Sequence, residues 1–269
     1  MTLAPPMIEA GLSATELWPL LCQGMQDMDG LWAGMTPPAA ADIRLAALPL
    51  QLLAELAAPP GVGAALSGLL TEAEKRRFCG LKLPRRRQEW LGGRLAAKFA
   101  LMQLAATKAL VPAQIGIVND CHGQPLAQAA DQICRPMPRL SLSHSGGLAV
   151  AVAAYAACGL DVQERSPRLV RVQERFADAE ERALGAGTDA LSWLTLLWAA
   201  KEAVKKRVYA SQPTFMERIR VTALEGSPAA GAPVLLYCAL SDRPESVVVR
   251  AALRAGHALA LTAEDGEHA

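Results

Sequence analysis

The sequence has almost no net charge, with 27 Lys and Arg against 26 Asp and Glu. Nothing global therefore points to nucleic acid or to an anionic membrane as a partner, and any anion-binding site has to be local. Paired cysteines are missing as well. The six present, Cys22, Cys79, Cys121, Cys134, Cys158 and Cys238, are scattered without a C-x-x-C spacing, and only Cys121 has a close histidine, His122. That pattern argues against a zinc site or a disulfide framework and for reduced thiols in a cytoplasm. No apolar run reaches the length of a bilayer span. The opening residues MTLAPPMIEAGL lack a basic segment and a small-residue cleavage site after an apolar stretch, so no secretion signal is expected. What the chain does have is apolar content. At 52% hydrophobic residues over 269 positions it can bury a real core, as one large domain or two modest ones.

The segment SWLTLLWAAKEAVKK, residues 192–206, is uninterrupted by Gly or Pro and repeats Trp193, Leu194, Leu197 and Trp198 at helical spacing. Lys201, Glu202, Lys205 and Lys206 cluster at its far end. Such a cluster suits a solvated helix face, and it also suits amines flanking a working carboxylate. A second acidic stretch, Gly159 to Glu164, ends an apolar run that reads as a strand.

Around these, Leu12, Leu17, Trp18, Leu20 and Leu21 predict a helix within residues 1–40, followed by a loop ending at Pro37-Pro38. Asp42 to Leu48 predicts a first strand. Thr71 with Glu74 forms a capping box that starts a helix through Arg76, Arg77 and Phe78, which Pro84 interrupts. A second helix is predicted from Arg86 to Leu104, its apolar stripe Trp90, Leu91, Leu95, Phe99 and Met102. Lys75, Arg76, Arg77, Lys82, Arg85, Arg86, Arg87, Arg94 and Lys98 recur along this pair. They form either a solubilising face or an anion cradle, for which the planar donor fork of arginine is well matched.

Strands are predicted at 114–118, 140–144, 148–154 and 156–162, with a turn at His122-Gly123-Gln124-Pro125. His144 fits a structural role, or a phosphate contact beside Ser143 and Ser145. One helix is predicted within 166–187, stopped by Gly185 and Gly187, and four strands within 219–262. Helices followed by strands thus occur twice. The simplest architecture is α+β with two similar lobes.

Three stretches, Leu142-Ser143-His144-Ser145-Gly146, Gly159-Leu160-Asp161-Val162 and Trp198 to Lys206, resemble in order and spacing the signature motifs of the 4′-phosphopantetheinyl transferases. The likeness extends to Leu70 to Phe78, to Arg87-Gln88-Glu89-Trp90 with Arg94 and Lys98, and to Gly123-Gln124-Pro125, covering roughly residues 42–262. It implies the two-lobed monomeric type with pseudo-twofold symmetry, each lobe a small, mainly antiparallel sheet packed with helices. The expected parts are an N-terminal extension of unassigned role (1–40), an N-terminal lobe (41–156) and a C-terminal lobe (157–269).

The implied reaction is Mg²⁺-dependent transfer of phosphopantetheine from coenzyme A to a serine of an acyl or peptidyl carrier protein, leaving 3′,5′-ADP. By resemblance, Asp161, Gln163 and Glu202 would hold the metal, and Glu202 would also serve as base. Lys206, supported by Lys201, would meet the pyrophosphate. Arg77, Arg94 and Lys98 would bind the nucleotide phosphates together with Ser143 and His144, and Gly123, Gln124 and Pro125 would line the adenine. Asp161 and Glu202 are expected to straddle the lobe interface. The sequence departs from the family pattern in three places. Gln163 stands where many members carry a carboxylate, Gln124 replaces a lysine, and Arg207-Val208-Tyr209 follows Lys206 without the usual glycines. These departures motivate a second reading, a non-catalytic relative that binds coenzyme A or a carrier and regulates a synthase.

Overall fold

The structure, a computed structural model, describes residues 12–36, 42–58, 62–104, 109–129, 137–211, 216–228 and 231–264. Pro37, Pro38 and Cys134 lie outside the described residues. The first element, α1 (Ala14–Gln26), begins where Ser13 and Glu16 form a capping box, and it buries Leu17, Leu21 and Met25 at four-residue intervals.

Two units then repeat one plan. In the first, β1 (Ile43–Pro49) leads through α2 (Leu50–Ala57), α3 (Val62–Gly68) and α4 (Glu72–Cys79) into the long helix α5 (Pro84–Met102). Four strands follow: β2 (Ile115–Asn119), β3 (Pro125–Ala129), β4 (Arg139–Ser145) and β5 (Leu148–Ala154). In the second, β6 (Cys158–Glu164) leads through α6 (Arg168–Val172) and α7 (Ala179–Leu184) into the long helix α8 (Ala190–Val208). After it come β7 (Ile219–Glu225), β8 (Val234–Leu240), β9 (Arg243–Arg254) and β10 (His257–Ala263). Both five-stranded sheets have the same order, β1-β5-β4-β3-β2 and β6-β10-β9-β8-β7, and every pairing is antiparallel. The molecule is therefore α+β with two similar lobes.

Several local expectations change. Pro84 opens α5 at a first-turn position, where its missing N–H costs nothing, and α4 has already ended at Cys79 with Gly80 as its C-cap. The single helix expected within 166–187 is two, because Asp178 caps a fresh start for α7. The helices α2 and α3 and the strand β3 carry too little periodic signal to be read in advance.

Each long helix covers one face of its own sheet. Leu95, Ala96 and Phe99 of α5 pack with Leu48, Ala149 and Ala151, while Leu196, Ala200 and Val204 of α8 pack with Leu236, Val249 and Ala260. The opposite faces meet each other. Val150 and Val152 of β5, Leu160 and Val162 of β6 and Leu259 and Leu261 of β10 form a shared apolar layer between the lobes, joined by Leu31, Trp32 and Met35 of the N-terminal segment. Period-two alternation explains the split, since Asp161 on β6 points away from the layer that holds Leu160 and Val162.

A buried Glu–Lys pair recurs in each lobe. Lys98 on α5 contacts Glu74 on α4 at 2.7 Å, and Lys201 on α8 contacts Glu181 on α7 at 2.6 Å. Each glutamate is also the capping-box residue of its helix and accepts a strand N–H, from Ile117 on β2 and from Val221 on β7. One carboxylate thus ties a helix start, the long helix and an edge strand together in each lobe.

Candidate functional site

Between the lobes, β4 lies along the free edge of β6. Its alternating serines occupy backbone groups that no strand pairs. Leu160 N donates to Ser141 Oγ at 3.0 Å, and Glu164 N donates to Ser145 Oγ at 2.9 Å. Ser143, between them, donates to Asp161 Oδ1 at 2.7 Å. Lys206 closes the junction by donating to Asp161 Oδ1 (2.7 Å), Leu160 O (3.0 Å) and Leu142 O (3.2 Å). All three ammonium hydrogens are thereby engaged. Asp161 is 5% exposed, so this is a nearly buried carboxylate held by an amine and a hydroxyl.

Contrary to the expectation from sequence, Asp161 and Glu202 do not come from different lobes. Both β6 and α8 belong to the second lobe, and the first lobe contributes Ser143, His144 and the basic helices. Glu202 lies one turn before Lys206 on the same face of α8, and its carboxylate is paired with Lys205 at 3.3 Å. Gly159 lets the strand and helix approach so closely. A Cβ there would sit 2.0 Å from the Ala203 carbonyl oxygen.

A cavity of about 530 Å³ opens beside this junction, its walls including Arg77, Arg86, Glu89, Trp90, Arg94, Ser143, His144 and Lys206. A second, of about 500 Å³, shares Gly123, Pro125, Leu142 and Lys206 with it and adds Gln124, Glu202 and Lys205. A third, of about 380 Å³, shares Arg77, Trp90, Arg94 and Asn119 with the first. Together they form one groove running from the basic helices of the first lobe to Glu202, Lys205 and Lys206 near the C-terminal end of α8.

Stacking positions the cations of the first lobe. Arg94 lies over the Trp90 ring at 4.5 Å, Trp90 meets Phe78 at 5.9 Å, and Arg87 covers Phe78 at 4.6 Å. Arg94 also donates to Asn119 Oδ1 at 3.0 Å, while its buried Nε has no partner. Burial lowers the Arg94 guanidinium to about 10, with Arg77 pushing the same way and Glu74 opposing. Burial likewise holds the His144 imidazole below its ordinary value, helped by Arg86 and Lys206 and opposed by Glu89 and Asp161. The turn at Gly123 is built by Asp120, whose Oδ1 accepts from the N–H groups of His122 and Gln124, both at 2.8 Å. Gly123 itself has φ of +88°, a conformation that favours glycine.

Of the residues read from sequence, Arg77, Arg94, Gly123, Gln124, Pro125, Ser143, His144, Glu202 and Lys206 share the groove, and Asp161 lies directly beneath Lys206. Gln163 faces the same side of β6 as Asp161, and its amide donates to Glu164 O at 3.1 Å. Lys98 and Lys201 do not reach the groove. They are 0% and 2% exposed, and each is spent on its buried glutamate and on carbonyls, of Leu69 and Pro112 for Lys98 and of Phe176 for Lys201. Sequence reasoning misses Asn119 and Asp120, and it assigns no role to Glu89 or Lys205, although both stand in stretches it singles out and Glu89 is the sole acid in a helix rich in arginine.

The donor set suits a hard divalent cation, which takes one or two carboxylates and fills its remaining positions with phosphate oxygens and water. Asp161 and Glu202 are the carboxylates that would be offered to such an ion, with the Gln163 amide on the same strand face as Asp161. Among the described residues no group of three or more His, Cys, Asp or Glu side chains is placed to hold a metal alone.

The family model of the 4′-phosphopantetheinyl transferase superfamily matches residues 157–261. A holo-[acyl-carrier-protein] synthase of Geobacillus sp. (strain WCH70) is 40% identical over 86 residues, 31% of this chain and 70% of that protein. Among solved structures, a holo-(acyl-carrier-protein) synthase from Bacillus anthracis str. Ames in complex with CoA (3′,5′-ADP) matches at 28% identity. It covers 42% of this chain and 92% of its own, with a TM-score of 0.36. The Chronobacterium ammoniagenes ACPS-CoA complex matches at 21% identity over 42% of this chain and 93% of its own, with a TM-score of 0.34.

Proposed function

The chain belongs to the 4′-phosphopantetheinyl transferase superfamily, and on that premise we propose that it moves the phosphopantetheine group of coenzyme A onto a serine of an acyl or peptidyl carrier protein. The observation that carries this reading is the continuous groove, cationic at the first lobe and ending at Glu202, Lys206 and Asp161. In it Arg77 and Arg94 face the phosphates of the nucleotide end, and the glycine turn at 123 lines the adenine. Lys206 meets the pyrophosphate by giving up one of its three present partners.

The carrier serine hydroxyl attacks the pyrophosphate phosphorus that bears the pantetheine arm, and 3′,5′-ADP departs with the bridging oxygen. Glu202 receives the hydroxyl proton. Lys206 neutralises charge on the departing phosphate, the step at which phosphoryl transfer most needs stabilisation. A Mg²⁺ ion held by Asp161 and Glu202, with Gln163 beside them, would supply further neutralisation of the diphosphate. The enzyme acts as a monomer in the cytoplasm, both active-site edges coming from one chain.

The test incubates the protein with coenzyme A and a panel of apo carrier proteins, with and without Mg²⁺, and reads carrier mass. One carrier should gain the phosphopantetheine mass, and Asp161→Asn should abolish that gain while circular dichroism stays unchanged. Coenzyme A binding by calorimetry with no modified carrier would instead support the regulatory reading.

A further inference from the structure

Glu89 lines the groove, and the transfer does not by itself explain its presence. It is the only acid of α5, it is 8% exposed, and it lines a cavity that otherwise offers positive charge to an anionic substrate. A nearly buried carboxylate in such a place repels phosphate unless its charge is used on something else. Here it is used. Arg85 Nε donates to Oε1 at 2.8 Å, while Arg86 Nη1 and His144 Nδ1 approach Oε2 at 3.5 and 3.8 Å. Arg86 and His144 both line the cavity, and they come from different elements, α5 and β4.

We infer that Glu89 is a positioning residue for the transfer, holding Arg86 and His144 together as one cationic wall against which the substrate phosphates seat. The inference rests on the transferase reading above. His144 Nδ1 stands from Glu89 Oε2 at an ion-pair distance rather than a hydrogen bond, so Glu89 acts on the ring through its charge, which favours the protonated imidazole. The groups facing His144 are Glu89 and Arg86 from α5, Asp161 from β6 and Lys206 from α8. The two cations and burial favour the neutral ring, and Glu89 is the stronger of the two acids that oppose them. Removing its charge leaves His144 neutral over more of the working pH range. The ring then meets phosphate without a charge-assisted bond.

Two measurements on the whole protein separate this role from simple scaffolding. In NMR titration without ligand, with the ring assigned through His144→Asn, Glu89→Gln should lower the His144 midpoint by roughly half a unit or more. In steady-state transfer, Glu89→Gln should raise KM for coenzyme A roughly threefold near pH 8 and less near pH 6, with kcat changed far less. Glu89→Asp should restore part of the loss, and in a His144→Asn background Glu89→Gln should add little. An unmoved titration in a folded Glu89→Gln protein overturns the inference, as does tighter coenzyme A binding, which would make Glu89 merely a repelling charge. If Glu89→Gln does not fold, the Glu89→Asp titration decides in its place, a lowered midpoint supporting the inference and an unmoved one overturning it. Failure of the unaltered protein to modify any carrier overturns the transferase reading instead, which the ligand-free titration does not depend on.

Discussion

Arg94 and Lys98 stand one turn apart on α5 and look alike in sequence, yet the fold gives them opposite work. Arg94 lies over Trp90 with its end at Asn119 and the groove, whereas Lys98 is enclosed against Glu74 and two carbonyls. Burial lowers the Lys98 ammonium, and Glu74 offsets part of that cost. Removing one member of such a pair leaves the other buried and uncompensated, which costs about 3 kcal/mol or more. Lys98→Met should therefore lower the stability measured by urea unfolding by that much, while the folded fraction binds coenzyme A as before. Arg94→Ala should do the reverse, weakening coenzyme A with little change in stability. Loss of coenzyme A affinity in folded Lys98→Met, out of proportion to stability, would contradict this division. The capping box at Thr71 makes Glu74 visible in the sequence, but nothing in the spacing shows that its carboxylate turns inward to a lysine 24 residues on. Charge is written in a sequence and depth is not. That is why Lys98 and Lys201 read as groove cations while Glu89 is given no role.

At the scale of elements, the long uninterrupted pattern of α8, the alternation of β4 and the apolar runs of β5 and β6 are legible. Helices α2 and α3 are not, since Leu50 to Ala57 and Val62 to Gly68 are too short to establish a period. The contact that matters most between elements is also silent in a single sequence, because a glycine marks a close approach only once its neighbour is known. Gly159 places β6 against the Ala203 and Arg207 backbone of α8, which is what brings Lys206 to 2.7 Å from Asp161. Gly159→Ala inserts a methyl group where backbone cannot yield, so α8 must shift outward. The cost should be about 2 kcal/mol or more, within the range of overpacking. Transfer should fall further than the loss of folded protein accounts for. Thermal unfolding and single-turnover transfer on the same preparation check both parts. Unaltered transfer in this variant would show that the strand–helix spacing does not set the site.

Across the whole molecule one plan is used twice and the chemistry is divided unequally between the copies. Counting from the two matched buried lysines shows it. Four residues before Lys98 stands Arg94, in the groove, and four before Lys201 stands Leu197, in the core; one residue after Lys98 stands Phe99, in the core, and one after Lys201 stands Glu202, in the groove. The first lobe thus presents cations and the second the acid and the Lys206 amine, so the groove is complete only while the lobes keep their registration. The serine ladder of β4 and the shared apolar layer provide that, and the N-terminal segment adds a clasp. Arg254, the last residue of β9, donates to the carbonyls of Gly30 (3.1 Å), Leu31 (2.7 Å) and Ala33 (2.6 Å). Helix α1, just upstream, is packed into the first lobe's core through Leu17, Leu21 and Met25. One side chain therefore fastens to the second lobe a segment rooted in the first. Arg254→Ala removes these charge-assisted bonds, each worth up to about 1.5–3 kcal/mol when buried and less where water competes. The expected result is faster amide exchange over residues 29–35 and a stability to urea lowered by about 1–3 kcal/mol. None of the carbonyls involved lines the groove, so affinity for coenzyme A should stay within about twofold. Unchanged exchange in that segment would mean that apolar packing of Leu31, Trp32 and Met35 holds it without the arginine.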